Sequence, residues 1–401
     1  MNPVPLPLQQ LYHDLVQLLR EERFDADYAN SLFKGPWGAL LFMFYYEQYA
    51  DPTADNATAL LEKIYEQYSI EEDSSYAFCS GHTGPFWLLD HLNRHGFLEM
   101  DMQYLADDFV TATIVQSRDH LDHLNFDFLH GSSGMCNFLL HYSARPDVAA
   151  HLQEFVNAMM LHSKMTAHGR SLPLFYTHEK PVGTFVDAFS LAHGSCSILI
   201  ILAKIYQAGI AQEQCRQLLL ESFPFILHHK NTPAEGSFQA LFPAILDGHS
   251  INSRLSWCYG DLNVALALWR CGQAINMPAW QEEAKAIMHY NICRNTDEAA
   301  GILDNCICHG SGGIAAFYRK FWFETGDIAF YHCASHWQRQ AVEKISFDEE
   351  GRKHGIKVWQ GKDKQWDYAW DLLDGGAGVG LSMLSHLHDT PLAWDECFLL
   401  S

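Results

Sequence analysis

A short glycine motif recurs seven times along the 401-residue chain, and each copy runs straight into an apolar stretch of helical character. The copies begin at Gly35 (GPWG, then ALLFMFYY), Gly81 (GHTG, then PFWLLDHL), Gly131 (GSSG, then MCNFLLHY) and Gly194 (GSCS, then ILIILAKIY). They continue at Gly260 (GDLN, then VALALW), Gly310 (GSGG, then IAAFYRKFW) and Gly375 (GGAG, then VGLSMLSHL). Successive copies lie roughly 45 to 65 residues apart, room for two helices and their connections. A repeat at that period points to one architecture built from like units rather than a string of unrelated domains.

Glycine before an apolar helix predicts a backbone turn at positive φ and a close approach to a neighbour. The free N–H groups of each first turn are expected to point at whatever lies beyond the helix end. Helices that are apolar almost all round belong in the interior. Amphipathic stretches between the copies, such as Leu60 to Tyr68 and Trp280 to Tyr290, read as outer helices. Seven hairpins of one buried and one surface helix would close into a double-layered, all-α ring. Gly169 to Thr184 reads as loop or a short hairpin, and Ile345 to Val358 as a second polar excursion. No linker or low-complexity segment divides the chain, so a single domain over residues 1–401 is expected.

With 48% apolar and 18% charged residues, the chain can bury a large core and is not disordered. Its formal charge of -22 repels phosphate backbones, which argues against nucleic acid as a substrate. A basic peptide would be attracted, although an acidic surface that only aids solubility is the commoner case. The start, Met1 to Leu6, has neither a basic nor an apolar region of a secretion signal, and no apolar run approaches the roughly 20 residues of a membrane span. Eleven scattered cysteines then suggest reduced thiols in a cytoplasm, some available as ligands or nucleophiles.

In such a ring the repeated loops share one end, so residues beside the glycines become neighbours. Cys258 precedes Gly260 by two residues, Cys308 and His309 directly precede Gly310, and His193 directly precedes Gly194. Two cysteines and a histidine form a set that zinc favours, with a fourth tetrahedral position left open as in catalytic sites. Cysteines in helical proteins are usually small buried apolar residues, but equivalent placement in adjacent repeats reverses that reading. Cys306 is a rival ligand, ranked lower because two-residue spacing splays side chains apart. His193 is a fourth ligand, a general base or a histidine bonded to a carbonyl, with proton transfer preferred. Asp127, four residues ahead of Gly131, either caps the following helix or transfers a proton. His82 and His130 also sit in glycine motifs and are read as structural, since 23 histidines make chance placement easy.

Together these residues resemble the LanC-like family of lanthionine synthetase cyclases over almost the whole chain. The resemblance rests on the seven motifs, on Trp257-Cys258-Tyr259-Gly260 and Cys308-His309-Gly310, on Leu191-Ala192-His193-Gly194, and on Leu373-Asp374-Gly375-Gly376-Ala377-Gly378. It implies an α/α toroid and a catalytic zinc on Cys258, Cys308 and His309. It also implies active-site roles for His193, Asp127, Arg254 and Tyr259. Ser197 and Asn263 depart from the pattern, standing where glycine would close the fourth and fifth motifs.

The implied reaction adds a peptide cysteine thiol to dehydroalanine or dehydrobutyrine, forming a thioether ring. The implied partners are a dehydrated precursor peptide with its leader, a dehydratase and an exporter, the last placing a monomeric enzyme peripherally at the membrane. Rival readings are a relative that adds glutathione to dehydrated peptides or proteins, and a non-catalytic zinc- or thiol-binding scaffold. An α/α-barrel glycosidase ranks low, because no acidic pair recurs at the glycine rim.

Overall fold

The stretches after the glycines fold as the pattern dictates: in Pro36–Tyr49 every residue from Pro36 to Tyr46 is buried, which only an interior helix tolerates. The computed structural model describes residues 4–70, 74–172, 187–234, 236–248, 251–361 and 363–401. Among the described residues there are sixteen α-helices. They begin with α1 (Leu6–Arg20), α2 (Pro36–Tyr49), α3 (Ala57–Glu66), α4 (Thr83–Arg94), α5 (Met102–Leu105) and α6 (Asp107–Asp122). Next come α7 (Ser132–Leu139), α8 (Pro146–His162), α9 (Ser195–Gln207), α10 (Gln212–His228), α11 (Asp261–Ala274) and α12 (Pro278–Asn291). The last are α13 (Asp297–Ala300), α14 (Ser311–Thr325), α15 (Ile328–Glu343) and α16 (Gly376–Leu387). All seven glycine motifs start a helix. No helix among the described residues is long and apolar enough to cross a membrane.

The chain groups into two units, each with its own core. One comprises Met1–Ser75, Cys79–Met102 and Ile302–Ser401. In it α14 pairs with α15 and α2 with α3, while α16 packs on α1, α2 and α14. The other comprises Tyr76–Phe78 and Gln103–Gly301, where α9 pairs with α10, α11 with α12, and α9 lies between α7 and α11. The stretches read as outer helices are α3, which buries Leu60, Leu61 and Ile64, and α12, which buries Trp280, Ala284, Ile287 and Met288. Their remaining faces are polar, the signature of a surface helix.

Two small antiparallel hairpins interrupt the helices. β1 (Lys164–Thr166) pairs with β2 (Gly169–Ser171), and the rest of the excursion, 173–184, lies outside the described residues. β3 (Ile356–Gln360) pairs with β4 (Gln365–Ala369), Val358 opposite Asp367 and Trp359 opposite Trp366. Ile356 and Val358 are buried and Lys357 exposed, so part of the segment read as a polar excursion is a half-buried strand.

Two expectations about the glycines need correction. Positive φ occurs at the start of only one motif helix: Gly260 lies at φ +95°, whereas Gly35, Gly131, Gly194, Gly310 and Gly375 are extended, between -119° and -166°. Close approach is what excludes a side chain: at Gly378 a Cβ would lie 2.7 Å from Ile307 Cγ1 and would strike the Leu372 carbonyl. Nor are the first-turn N–H groups free. Ser132 donates to Asn125 O (3.0 Å), Ser195 to Ala188 O (3.0 Å), Ser311 to Asp304 O (3.1 Å) and Ala377 to Trp370 O (3.0 Å). Each loop turns back over its own helix start and satisfies it.

Candidate functional site

The loops before six of the seven glycines are closed by one recurring bond; ahead of Gly81 the position is Ala77, which has no side-chain acceptor. The residue four positions ahead of the glycine accepts the N–H of the residue directly ahead of it. Ser31 Oγ takes Lys34 N–H (2.9 Å), Asp127 Oδ1 takes His130 N–H (2.7 Å) and Ser190 Oγ takes His193 N–H (2.8 Å). Ser256 Oγ takes Tyr259 N–H (3.3 Å), Cys306 Sγ takes His309 N–H (3.3 Å) and Asp371 Oδ1 takes Asp374 N–H (2.8 Å). This Asx- or Ser-turn logic needs only a short side-chain acceptor, so serine, aspartate and cysteine interchange. The residue it fixes is the one at the rim: Lys34, His130, His193, Tyr259, His309 or Asp374.

Main-chain bonds then link loop to loop. In the first unit Phe33 N–H donates to Cys79 O (3.2 Å), Leu373 N–H to Phe33 O (3.0 Å) and Cys308 N–H to Leu373 O (3.0 Å). In the second, Gly260 N–H donates to Phe189 O (2.9 Å), and Leu191 N–H to Asn263 Oδ1 (2.6 Å). Asn263, which departs from the glycine pattern, is thus a cross-loop acceptor.

Within the second unit Asp127 and His193 meet. His193 Nδ1 lies 2.7 Å from Asp127 Oδ2, with the aspartate side chain 1% exposed and the imidazole 26%. Burial alone would lower the imidazole's pKa, but the Asp127 carboxylate outweighs it and Cys258 adds to the effect, so the net shift is upward. Asp127 does not cap α7, whose start carries no side-chain cap: one of its oxygens closes its own turn on His130 N–H and the other contacts His193. The His130 ring stacks on His193 with centroids 5.7 Å apart and planes 17° off parallel, and Tyr259 lies 6.4 Å away on the same measure. His130, read as structural, therefore belongs to this group. The clue was its place directly before a glycine, which it shares with His193 and His309.

Cys258 and Arg254 share the loop that enters α11. Cys258 is half-buried, its Sγ 3.4 Å from Ser256 Oγ. Arg254 is exposed, and its guanidinium makes no hydrogen bond or ion pair among the described residues. The loop is anchored from beneath by a buried pair. Arg294, 1% exposed, donates to Ser253 O (2.6 Å) and Ala299 O (2.9 Å), and reaches Asp261 Oδ2 at 3.5 Å.

Within the first unit Cys308 is half-buried beside His309. His309 stands between two carboxylates, with Nε2 3.8 Å from Asp304 Oδ2 and Nδ1 3.9 Å from Asp374 Oδ1. Lys34 holds Asp374 Oδ2 (2.8 Å) and Asp371 Oδ2 (3.0 Å), leaving the buried Asp374 Oδ1 without a hydrogen-bond partner among the described residues. Asp304, Cys306 and His309 also lie close enough to form a rival metal set, their ligand atoms within 4.8 Å of one another. Both Asp304 oxygens already accept backbone N–H groups, from Cys306 (3.2 Å) and Trp359 (3.0 Å). Cys306 is fully buried, its thiol pushed well up by burial, and it occupies the turn-closing slot. Of the eleven cysteines eight are buried; Cys258 and Cys308 are half-buried and Cys293 is exposed.

No curated protein matches in sequence. Among solved structures the fold is similar to that of nisin cyclase, with a TM-score of 0.71 at 17% identity, over 98% of this chain and 97% of that one. The fold class is accordingly the all-α, α/α toroid. A family model described as lanthionine synthetase C-like protein matches residues 26–399. The chain belongs to the lanthionine synthetase C-like family.

Proposed function

We propose that residues 1–401 act as one zinc-dependent cyclase domain that joins cysteine thiols of a dehydrated precursor peptide to its dehydroalanine or dehydrobutyrine residues. The proposed ligands are Cys258, Cys308 and His309, a soft donor set of two thiolates and one imidazole suited to zinc. Their partial exposure among mostly buried thiols supports that choice. A free thiol of pKa about 8.5 is only about 3% thiolate at pH 7. Zinc, when bound, would supply the remaining ionisation of the substrate thiol, offsetting a penalty of roughly 2 kcal/mol.

Ring closure breaks the thiol S–H bond and the alkene π bond and forms one S–C bond at the β-carbon and one C–H bond at the α-carbon; the proton lost from sulfur balances the one delivered to carbon, so mass is unchanged. His193 is the proton donor to the α-carbon. Its raised pKa keeps a proton available, and Asp127 fixes the ring through Nδ1. Arg254, exposed on the Cys258 loop, has a guanidinium available to the enolate oxygen as charge develops there. Tyr259, beside the His193 ring, bounds the same space. The observation carrying this reading is the 2.7 Å contact of His193 with a buried aspartate at the glycine rim of a family member.

The test is incubation with a peptide holding one dehydroalanine and one cysteine, with and without glutathione. The expected product has unchanged mass and no longer reacts with iodoacetamide. A product heavier by one glutathione, or a thiol that stays reactive, would refute the cyclase assignment.

A further inference from the structure

The β3–β4 hairpin forms one wall of a groove of about 280 Å³ beside the His309 loop, lined by Leu303, Asp304, Lys344, Ser346, Lys357 and Trp366. Strand alternation builds that wall: Ile356 and Val358 face the core, which leaves Lys357 on the opposite face. Two bonds fix its position. Lys357 N–H donates to Ser346 O (2.9 Å), and Trp359 N–H donates to Asp304 Oδ2 (3.0 Å). Trp366 remains 46% exposed and Leu303 54% exposed, two large apolar side chains facing solvent at one groove.

Charge sets this groove apart. The chain carries 48 acidic against 26 basic residues, yet the groove's lining holds two lysines and one carboxylate. That carboxylate, Asp304, is 2% exposed and already engaged by two backbone N–H groups. The Lys357 ammonium makes no hydrogen bond or ion pair among the described residues. Asp304 also links groove and loop, since its Oδ2 lies 3.8 Å from His309 Nε2. The volume is near the lower limit of small-ligand pockets, roughly 300 Å³, which suits side chains of an extended segment rather than a folded surface.

We propose that this groove seats the substrate peptide's segment flanking the reacting cysteine. It would select an acidic side chain on Lys357 and Lys344 and a bulky apolar one against Trp366 and Leu303. This rests on the cyclase reading above and adds to it a sequence preference opposite to the one that the acidic surface as a whole would impose. An extended peptide advances about 3.3 Å per residue, so the selected positions lie within a few residues of the cysteine.

The test uses two fluorescein-labelled synthetic peptides, each with one dehydroalanine and one cysteine. They are identical except that the flank carries Glu-Leu in one and Lys-Leu in the other. Fluorescence anisotropy at low salt is expected to show the Glu peptide binding about tenfold more tightly to the wild-type chain. The preference should vanish or invert in Lys357→Glu and weaken in 0.5 M salt, as partly exposed ion pairs do. Lys357 is exposed and its ammonium has no partner among the described residues, so the variant should fold, which circular dichroism checks. Equal binding of both peptides by the wild type, or an undiminished preference in Lys357→Glu, would overturn the groove assignment. Ring closure followed in the same samples separates the two claims. Closure without flank preference refutes the groove alone, and flank preference without closure refutes the cyclase alone.

Discussion

Replacing Arg294 by methionine tests whether the loop bearing Arg254 and Cys258 is held from beneath by a buried ion pair. Arg294 is 1% exposed and Asp261 is fully buried. Asp261 keeps the N–H groups of Leu241 (2.9 Å) and Phe242 (2.8 Å) after the substitution, so its carboxyl is not wholly orphaned. Breaking a buried pair on one side costs about 3–5 kcal/mol, and the retained N–H bonds place this case near the lower end, about 3 kcal/mol. The Ser253 and Ala299 carbonyls each lose a donor as well, a loss of about 1 kcal/mol apiece already included in that range. Against a total stability of roughly 5–15 kcal/mol the effect is large. Urea unfolding followed by circular dichroism and tryptophan fluorescence measures it, with Asp261→Asn completing a double-mutant cycle. The cycle should show coupling of about 1 kcal/mol or more. The loss should also depend on pH. Burial, the largest influence, raises the Asp261 pKa while Arg294 opposes it, so removing Arg294 raises it further. A raised folded-state carboxyl pKa loses stability as pH climbs through it, so the deficit of Arg294→Met should be greater at pH 8 than at pH 5. A cost under about 1 kcal/mol, or additivity within about 0.5 kcal/mol, would refute the reasoning.

Asp127→Asn removes the charge that raises the His193 pKa and leaves its burial in place. Ring closure should slow by about 10²-fold or more at unchanged zinc content, and a rate within twofold of wild type would remove Asp127 from the mechanism. Acid should weaken the first unit through His91, which is fully buried, bonded to Tyr45 and Glu396, and lowered by burial from its ordinary 6.5 to about 4. The unfolded chain binds that proton from pH 6.5 downward while the folded chain resists it to about 4, so stability falls across that window. Urea midpoints between pH 7 and 4.5 should drop less steeply in His91→Gln, and parallel slopes would contradict the assignment.

The repeat made the helices legible, because glycine spacing and all-round apolarity dictate both where each helix begins and that it is buried. The turn-closing slot was present in the sequence as a column of Ser31, Asp127, Ser190, Ser256, Cys306 and Asp371, yet it mixes three residue types. Only geometry reveals that hydroxyl, carboxylate and thiol accept the same N–H. That slot gives Cys306 a structural role and His130 a place beside His193. The positive φ expected at every motif failed because the loops need close backbone approach, which an extended glycine also provides; Gly260 alone among the helix-starting glycines needs both. β3 escaped notice because five residues offer too short a period-two pattern when a lysine and a tryptophan share it.

Zinc content per chain, by elemental analysis of Cys258→Ala, Cys308→Ala and Cys306→Ser beside the wild type, bears most directly on the central claim. One zinc is expected in the wild type and in Cys306→Ser, where a hydroxyl can take over the turn-closing bond, and well under one in the two alanine variants. Full zinc in Cys258→Ala, or its loss only in Cys306→Ser, would contradict the account.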